Sequence, residues 1–253
     1  MIDVRNVGFG YDDGPLVIDG VDLRIEEDET LALMGPNGAG KTTLLKCIAG
    51  LYDPDVGSIE RVEDTVVGFA PEDPDDALFA ATVESEVAFF PLNRGLDVAD
   101  RVEAALAQMG ITHLRERVPQ TLSAGEKRLV SLAAVLSGDP TVVALDEPTS
   151  GLDVGHVATL GDAVRSLDRT VVVATHDADF ALEYADRVAF VVDGTVAVVR
   201  EAEAVLGDPD FDFEAVGIGV PGSVQFARQQ GWDDVPSTPE AAAARIDAAE
   251  MND

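Results

Sequence analysis

Residues 35–42 read Gly35-Pro36-Asn37-Gly38-Ala39-Gly40-Lys41-Thr42. The loop follows the apolar run Thr30–Met34 and opens the helical pattern Lys41–Ala49, so it joins a strand to a helix. Its glycines allow backbone N–H groups to converge on an anion, and the helix N-terminus adds positive potential. The closing lysine suits the β- and γ-phosphates of a nucleotide, and the threonine hydroxyl suits Mg²⁺. A chance glycine-rich turn is the alternative, but the strand-loop-helix context favours a phosphate site.

Strand and helix patterns alternate on both sides of this loop. The first thirty residues alternate as antiparallel strands, for example at residues 2–7 and 21–25. Further on, short apolar strands at residues 65–69, 141–145 and 170–174 are separated by helical patterns, and residues 187–199 predict a hairpin that turns at Asp193-Gly194. This alternation predicts an α/β fold with a parallel sheet covered on both faces. The mainly helical stretch at about 76–137 reads as an insertion in that sheet.

The composition bounds the function. The 253 residues include 48 acidic and 17 basic ones, for a net charge of -31. Such a charge excludes a nucleic-acid binder that uses a broad basic face, and it argues against docking through a polybasic patch on anionic lipid. The acids are dispersed over the whole chain, as in proteins from organisms with molar internal salt. Ordinary mesophilic acidity is the alternative.

Membrane spans and disulfides are not expected. No stretch approaches 18 consecutive apolar residues, and the N-terminus lacks the apolar core of a signal peptide. Cys47 is the single cysteine, so an internal disulfide is excluded, and we interpret it as a packed small residue. The sequence therefore predicts a protein that stays in the cytoplasm.

Two acids end an apolar strand about a hundred residues after the phosphate loop. The run at 141–145 leads directly into Asp146 and Glu147. Strand ends in open α/β sheets face the ligand crevice. There Asp146 can hold Mg²⁺ through its water shell, and Glu147 can orient and deprotonate an attacking water. The pair is a weak signal alone and a strong one after the phosphate loop.

The pentapeptide Leu122-Ser123-Ala124-Gly125-Glu126 resembles the LSGGQ signature of ABC ATPases. Other marks of that family stand around it in the expected order: an adenine-stacking aromatic residue, a D-loop and a switch histidine, at Tyr11, Ser150-Gly151-Leu152-Asp153 and His176. The resemblance covers about residues 1–206. It implies a P-loop NTPase fold of the ABC type, with a mixed core sheet, an N-terminal antiparallel β subdomain and the helical insertion at 76–137. Residues 207–253 are then a small C-terminal extension, with predicted helices at Gly222–Gln230 and 239–250.

The resemblance also implies the roles of site residues. ATP would be held by Tyr11 and by the loop with its following threonine: Gly35, Pro36, Asn37, Gly38, Ala39, Gly40, Lys41, Thr42 and Thr43. His176 would bond the γ-phosphate, whereas His113 and His156 are interpreted as ordinary structural residues. The signature would close over the ATP of a second subunit. Ser123 and Glu126 also form a capping box that starts a helix, and Ala124 and Glu126 are mild departures from the family pattern.

One departure from the family is more serious, because Glu72 occupies the place of the Q-loop glutamine. In the family that glutamine contacts Mg²⁺ and water and links the site to the membrane partner. A carboxylate offers Mg²⁺ equally good oxygen ligands, so we predict Thr42, Asp146 and Glu72 around the ion. Alternatively Glu72 swings away and leaves its place to water.

The segments 74–79 and 82–93 are similar to those of ATPase subunits of energy-coupling-factor importers, which serve cobalt, nickel, biotin and other vitamins. In that group this region forms a groove for a coupling helix of the membrane subunit. Phe79, Phe89 and Phe90 either line such a groove or pack in the core.

The resulting prediction is an Mg²⁺-dependent ATPase subunit of such an importer, peripheral on the cytoplasmic side of the membrane. It pairs with a copy of itself or a paralogue, and with an integral membrane subunit. Within transport, the alternative is the ATPase of another ABC transporter. Outside transport, it is a soluble ABC ATPase without a membrane partner, or a nucleotide-binding regulator; the acids at 146 and 147 disfavour the regulator.

Overall fold

The strands form two sheets in the computed structural model, which describes residues 1–12, 14–206, 208, 210–232, 235–236 and 244–245. They are β1 (Ile2–Gly10), β2 (Leu16–Ile25), β3 (Thr30–Met34), β4 (Val56–Arg61), β5 (Val67–Ala70), β6 (Val142–Asp146), β7 (Thr170–Thr175), β8 (Arg187–Val192) and β9 (Thr195–Glu201). The smaller sheet is antiparallel, in the order β2-β1-β4. The larger sheet has the order β5-β6-β7-β3-β8-β9; all its pairs are parallel except β8-β9.

Helices connect the strands of the larger sheet and cover it. Those in the described residues are α1 (Lys41–Ala49), α2 (Val83–Val87), α3 (Phe89–Arg94), α4 (Val98–Gln108), α5 (Ala124–Ser137), α6 (Val154–Arg165), α7 (Ala178–Tyr184), α8 (Ala202–Leu206) and α9 (Gly222–Gln230). Helices α2 to α5 lie between β5 and β6, where the sequence predicted a helical insertion. None of the described helices is long and apolar enough to cross a bilayer.

Most predicted elements are confirmed, and the exceptions have local causes. The antiparallel start, the helix Gly222–Gln230 and the hairpin turn at Asp193-Gly194, where both residues have positive φ, are all present. Strand β4 was not predicted, because its sequence does not alternate and most of it is exposed. Pro91, a residue type that usually breaks helices, lies in the first turn of α3, where its missing N–H is not needed. The predicted helix at 239–250 falls largely outside the described residues.

The strand order brings three loops to one edge of the larger sheet. Strand β7 lies between β6 and β3, with Met34 opposite Thr175 and Asp146 opposite Ala174. All three strands are buried, as expected for a parallel sheet covered on both faces. Parallel strands end at the same edge, so the loop after β3, the acids at the end of β6 and the residue after β7 become neighbours.

The C-terminal extension packs on the same body of structure. Its apolar side chains join those of β3, β8, α7 and α8 in one buried cluster that includes Met34, Phe190, Phe213, Val216 and Ile218. The division of the chain at residue 206 stays a prediction, since this packing does not by itself define a domain boundary.

Candidate active site

The loop at 35–42 is held in shape by close backbone contacts. A side chain at Gly35 would place its Cβ 2.0 Å from the carbonyl oxygen of Val191, so only glycine fits there. Gly40 has φ 99° where it caps α1, a conformation that L side chains rarely adopt. The ammonium of Lys41 donates to the carbonyls of Gly35 at 2.8 Å and Pro36 at 3.1 Å. The loop is therefore wrapped around its own lysine.

Burial dominates the electrostatics of Lys41. The residue is 5% exposed, and desolvation lowers its pKa, although the nearby carboxylates of Glu147 and Asp146 oppose that shift. Its Nζ lies 3.7 Å from a carboxylate oxygen of Glu147. The Lys41 ammonium can therefore leave the Glu147 carboxylate and pair with a more highly charged anion, such as a phosphate, that enters the site.

Thr42 and Asp146 meet across the strand ends. The Thr42 hydroxyl donates to the Asp146 carboxylate at 2.8 Å, linking the start of α1 to the end of β6. Burial raises the pKa of Asp146, and the hydrogen bond from Thr42 opposes that rise. The two oxygens are thus placed side by side at the base of the loop.

Buried Glu147 pairs with His176, whose side chain is exposed, next to Lys41. Glu147 has φ 42°, in the left-handed region, and its N–H donates to the carbonyl of Ala174 at 2.7 Å. Its carboxylate lies 2.8 Å from Nδ1 of His176 and accepts the His176 backbone N–H at 3.2 Å. A strained non-glycine backbone of this kind is concentrated at functional sites. The strain aims the Glu147 side chain at the lysine and the histidine.

A polar cleft of about 350 Å³ opens over these groups. The lining of the cleft includes nine residues that the sequence predicted for the site. They are Asn37, Gly38, Gly40, Lys41, Thr42, Thr43, Glu72, Glu147 and His176. Glu72 is therefore a lining residue of the cleft, and its place as an Mg²⁺ ligand stays a prediction. Val17, at the edge of β2, also lines the cleft. Sequence reasoning missed Val17, because an apolar strand residue carries no signal of a ligand.

Tyr11 lies beside the cleft and is not among its lining residues. Its ring is 44% exposed and packs edge-to-face on Phe9 and Tyr52. Its hydroxyl is 3.1 Å from that of Thr43 on α1. The ring is thus fixed next to the mouth of the cleft, with one part free to contact a ligand.

The signature residues form a separate group that does not line the cleft. Ser123 accepts from the Glu126 N–H at 3.3 Å, and Glu126 accepts from the Ser123 N–H at 2.8 Å, so the predicted capping box is present. The Ser123 N–H and the Ser123 hydroxyl both donate to the Glu126 carboxylate and lower its pKa. Ser123 and Ala124 are exposed at the start of α5.

The D-loop packs against this helix start. A Cβ at Gly125 would lie 3.4 Å from the His156 ring and 3.5 Å from Leu152, so both side chains lie close to this glycine. Asp153 caps α6 by accepting from the His156 N–H at 3.0 Å, and it pairs with the His156 ring at 2.9 Å. Ser150 and Gly151 are exposed. His156 therefore has the structural role that was predicted, and His113 is an exposed residue of a short helical turn.

Arg128 on α5 is a residue that sequence reasoning missed. It is 4% exposed, and its guanidinium donates to the carbonyl of Pro71 at 2.7 Å and to that of Glu72. Burial lowers its pKa, and the carboxylate of Glu72 opposes that shift. The signal was available in principle: an arginine amid an apolar helix face needs partners. It joins the signature helix to the segment that carries Glu72.

A second, smaller hollow of about 220 Å³ lies on the helical insertion. Phe79, Phe89 and Phe90 line it and are 64%, 39% and 40% exposed. Their rings stack edge-to-face in series. Buried Glu86 closes the rim by accepting the N–H groups of Phe79 and Ala80. This exposure contradicts the interpretation that the three rings pack in the core.

Comparison with known proteins identifies the family. A family model described as ABC transporter matches residues 18–150. The energy-coupling factor transporter ATP-binding protein EcfA of Methanoculleus marisnigri is 39% identical over 228 residues, which cover 83% of this chain and 82% of the relative. The cobalt import ATP-binding protein CbiO of Rhodobacter capsulatus is 40% identical over 219 residues, which cover 79% of this chain and 78% of the relative.

Solved structures agree with the predicted fold class. The structure of cbiO1 from Clostridium perfringens, described as part of the ABC transporter complex cbiONQ, matches with a TM-score of 0.73 at 32% identity and covers 81% of this chain and 89% of that one. The dimeric structure of MJ0796, a bacterial ABC transporter cassette, matches with a TM-score of 0.72 at 25% identity and covers 80% and 99%. The P-loop NTPase fold of the ABC type is thereby confirmed. The chain belongs to the ATP-binding proteins of ABC transporters, which bind ATP and hydrolyse it to power transport.

Proposed function

We propose that this chain is the ATPase subunit of an energy-coupling-factor importer that takes up cobalt, nickel or a vitamin such as biotin. One observation carries the active-site part of the proposal. A single cleft is lined by Lys41, Thr42, Glu147 and His176. Hydrogen bonds and an ion pair connect Glu147 to Lys41 and His176, and Thr42 to buried Asp146. The names of the relatives EcfA and CbiO support the importer part.

The cleft suits the triphosphate of ATP. The backbone of the loop and Lys41 would hold the β- and γ-phosphates, with Tyr11 against the adenine. Glu147 would accept the proton of a water that attacks the γ-phosphorus. The bond between the γ-phosphorus and the oxygen that it shares with the β-phosphate would break, and ADP and phosphate would leave. Its carboxylate already contacts Lys41 and His176, so both side chains stand where negative charge gathers on the γ-phosphate.

Mg²⁺ fits the donors at the base of the loop. In the described residues, no three Cys, His, Asp or Glu side chains converge as a ready metal site. A nucleotide-bound Mg²⁺ does not need such a cluster, because the ion usually takes one or two carboxylates together with water and substrate phosphates. Thr42 and Asp146 would hold it, with Glu72 as a further ligand, and the ion would neutralise charge between the phosphates.

A second subunit would complete each site. Ser123, Ala124, Gly125 and Glu126 do not line the cleft of their own chain, and the first two are exposed at a helix N-terminus. Such an end attracts anions, so it suits the γ-phosphate held by another copy or a paralogue. The dimeric cassette that shares this fold supports the arrangement.

The aromatic hollow would receive a helix of an integral membrane subunit. Three exposed rings around a hollow on the helical insertion form an apolar surface that suits a short apolar helix. This surface lies next to the segment with Glu72, since Phe69 and Asp76 also line the hollow. A movement of the Glu72 segment would therefore be transmitted through the aromatic hollow to the membrane subunit. This arrangement places the chain on the cytoplasmic side of the membrane.

The proposal is tested by purifying the tagged protein with its membrane partner from the native host. The variant Phe79→Glu should lose the integral membrane subunit but keep ATP binding. Leu92→Glu is the matched control, because Leu92 is 63% exposed and does not line the hollow. Uptake of labelled cobalt, nickel and biotin into host cells then identifies the solute. Equal retention of the partner by both variants would contradict the groove, and the absence of any integral membrane partner would contradict the importer.

A further inference from the structure

The C-terminal extension touches the phosphate loop at Gly217. A Cβ at this position would stand 3.0 Å from Cδ and 3.1 Å from Cγ of Pro36. Gly217 also has φ 74°, in the left-handed region. Both the backbone conformation and the close approach therefore require glycine, and the backbone of the extension lies directly against the proline ring.

The turn that carries Gly217 is anchored on both sides. Val216 and Ile218 are each 8% exposed and belong to the same buried cluster as Met34, the residue before the phosphate loop. The Gly217 N–H donates to the backbone carbonyl of Glu214 at 2.9 Å, and this hydrogen bond closes the turn. Because two buried side chains and a hydrogen bond fix this turn, it resists displacement by the phosphate loop.

A second contact joins the extension to the helix after His176. Asp179, near the start of α7, accepts the N–H groups of Gly222 and Ser223 at 3.0 Å each, and the Ser223 hydroxyl at 2.7 Å. These bonds fix the first turn of α9, where N–H groups have no partner within the helix. The extension is thus tied to the phosphate loop and to α7, the helix that begins two residues after His176.

Pro36 transmits the contact to the site. Its carbonyl oxygen accepts from Nζ of Lys41 at 3.1 Å and from the N–H of Ala39 at 3.2 Å. A shift of the proline ring would therefore move the carbonyl that orients the lysine and would alter the curve of the loop. A misplacement of about 1 Å in an active site can already cost about a hundredfold in rate, so a small shift of this loop is expected to matter.

We propose that the segment 211–230 holds the phosphate loop in its ATP-binding geometry, with Gly217 as the positioning residue at Pro36. This inference rests on the proposed placement of ATP at that loop. It gives the extension a role within its own subunit: displacement of the segment lowers the affinity for ATP.

The test compares Gly217→Ala with Gly231→Ala. Gly231 has a similar φ of 67°, but a Cβ there would meet nothing within 4 Å. The two variants share the backbone strain, and only one of them presses on Pro36. The dissociation constant of Mg·ATP, from calorimetry in molar KCl, should rise on the order of tenfold for Gly217→Ala and stay near the wild-type value for Gly231→Ala. The midpoint of thermal unfolding without ATP should fall in both, and further in Gly217→Ala, where the clash with Pro36 adds to the shared backbone strain.

A second background isolates the contact. Pro36→Ala removes the ring atoms that the new Cβ would meet, so adding Gly217→Ala to Pro36→Ala should cost no further affinity. Should Gly217→Ala not fold, Asp179→Asn loosens the segment without a clash, and a rise of about threefold or more is expected.

Equal affinities for Gly217→Ala and Gly231→Ala would overturn the inference, as would a wild-type affinity in folded Asp179→Asn. The same loss of affinity on adding Gly217→Ala to both backgrounds would overturn it as well. Failure of the wild type to bind ATP would overturn the ATP site and this inference together.

Discussion

The substitution Glu147→Gln tests the chemistry of the cleft most directly. It keeps the size of the side chain and an oxygen for His176, but it removes the group that would take a proton from water. Loss of general-base help lowers the rate by about 10²–10⁴-fold, which raises the barrier by about 2.7–5.4 kcal/mol. Glu147 is 6% exposed, so water cannot easily replace its carboxylate.

ATP binding should survive this change. Lys41 keeps its bonds to Gly35 and Pro36, and Thr42 keeps Asp146. The variant removes the negative charge that lies 3.7 Å from the Lys41 ammonium, so an incoming triphosphate loses a competitor and meets less repulsion. Affinity for ATP is therefore expected to be unchanged or higher, and uncleaved ATP should hold two subunits together.

The assays are phosphate release, ATP binding and size-exclusion chromatography with and without Mg·ATP, in molar KCl. The control is Glu63→Gln, which makes the same charge change on the exposed surface. If the protein pairs with a paralogue, that partner is included. Hydrolysis at the wild-type rate would refute the role of Glu147 as the base. A variant that binds ATP, is inactive and never dimerises with its partner would refute the shared site.

Other consequences can be measured separately. Because the charge of -31 is dispersed, the unfolding midpoint should rise by about 10 °C or more between dilute buffer and molar KCl; a midpoint independent of salt would exclude the adaptation to salt. Glu72→Gln should keep Mg·ATP binding and leave or raise hydrolysis, whereas Glu72→Ala should lower turnover more than binding; wild-type kinetics in both would remove Glu72 from the site. Burial raises the pKa of Cys47 to about 11 from 9.0, so its alkylation at pH 8 should be about a hundredfold slower in the native protein than in urea, and equal rates would contradict its burial.

Local patterns predicted the core of this molecule well. Thr30–Met34 and Lys41–Ala49 were recognised with their observed ends, because a glycine-rich loop marks the boundary between them. The acids at 146 and 147 were also placed correctly at a strand end, because the run of apolar residues stops there. Strand β4 escaped prediction because its stability comes from pairing with β1 and not from its own pattern.

The sequence by itself determined which residues carry the chemistry, since a phosphate loop and a strand ending in two acids are made by neighbours along the chain. Only the tertiary structure decided which of them meet. It turned Glu72 into the cleft, buried Arg128 against the carbonyl of Pro71, exposed the three phenylalanine rings and set Gly217 against Pro36. These contacts join residues far apart in sequence, so they depend on how strands and helices pack, and no local pattern encodes that packing.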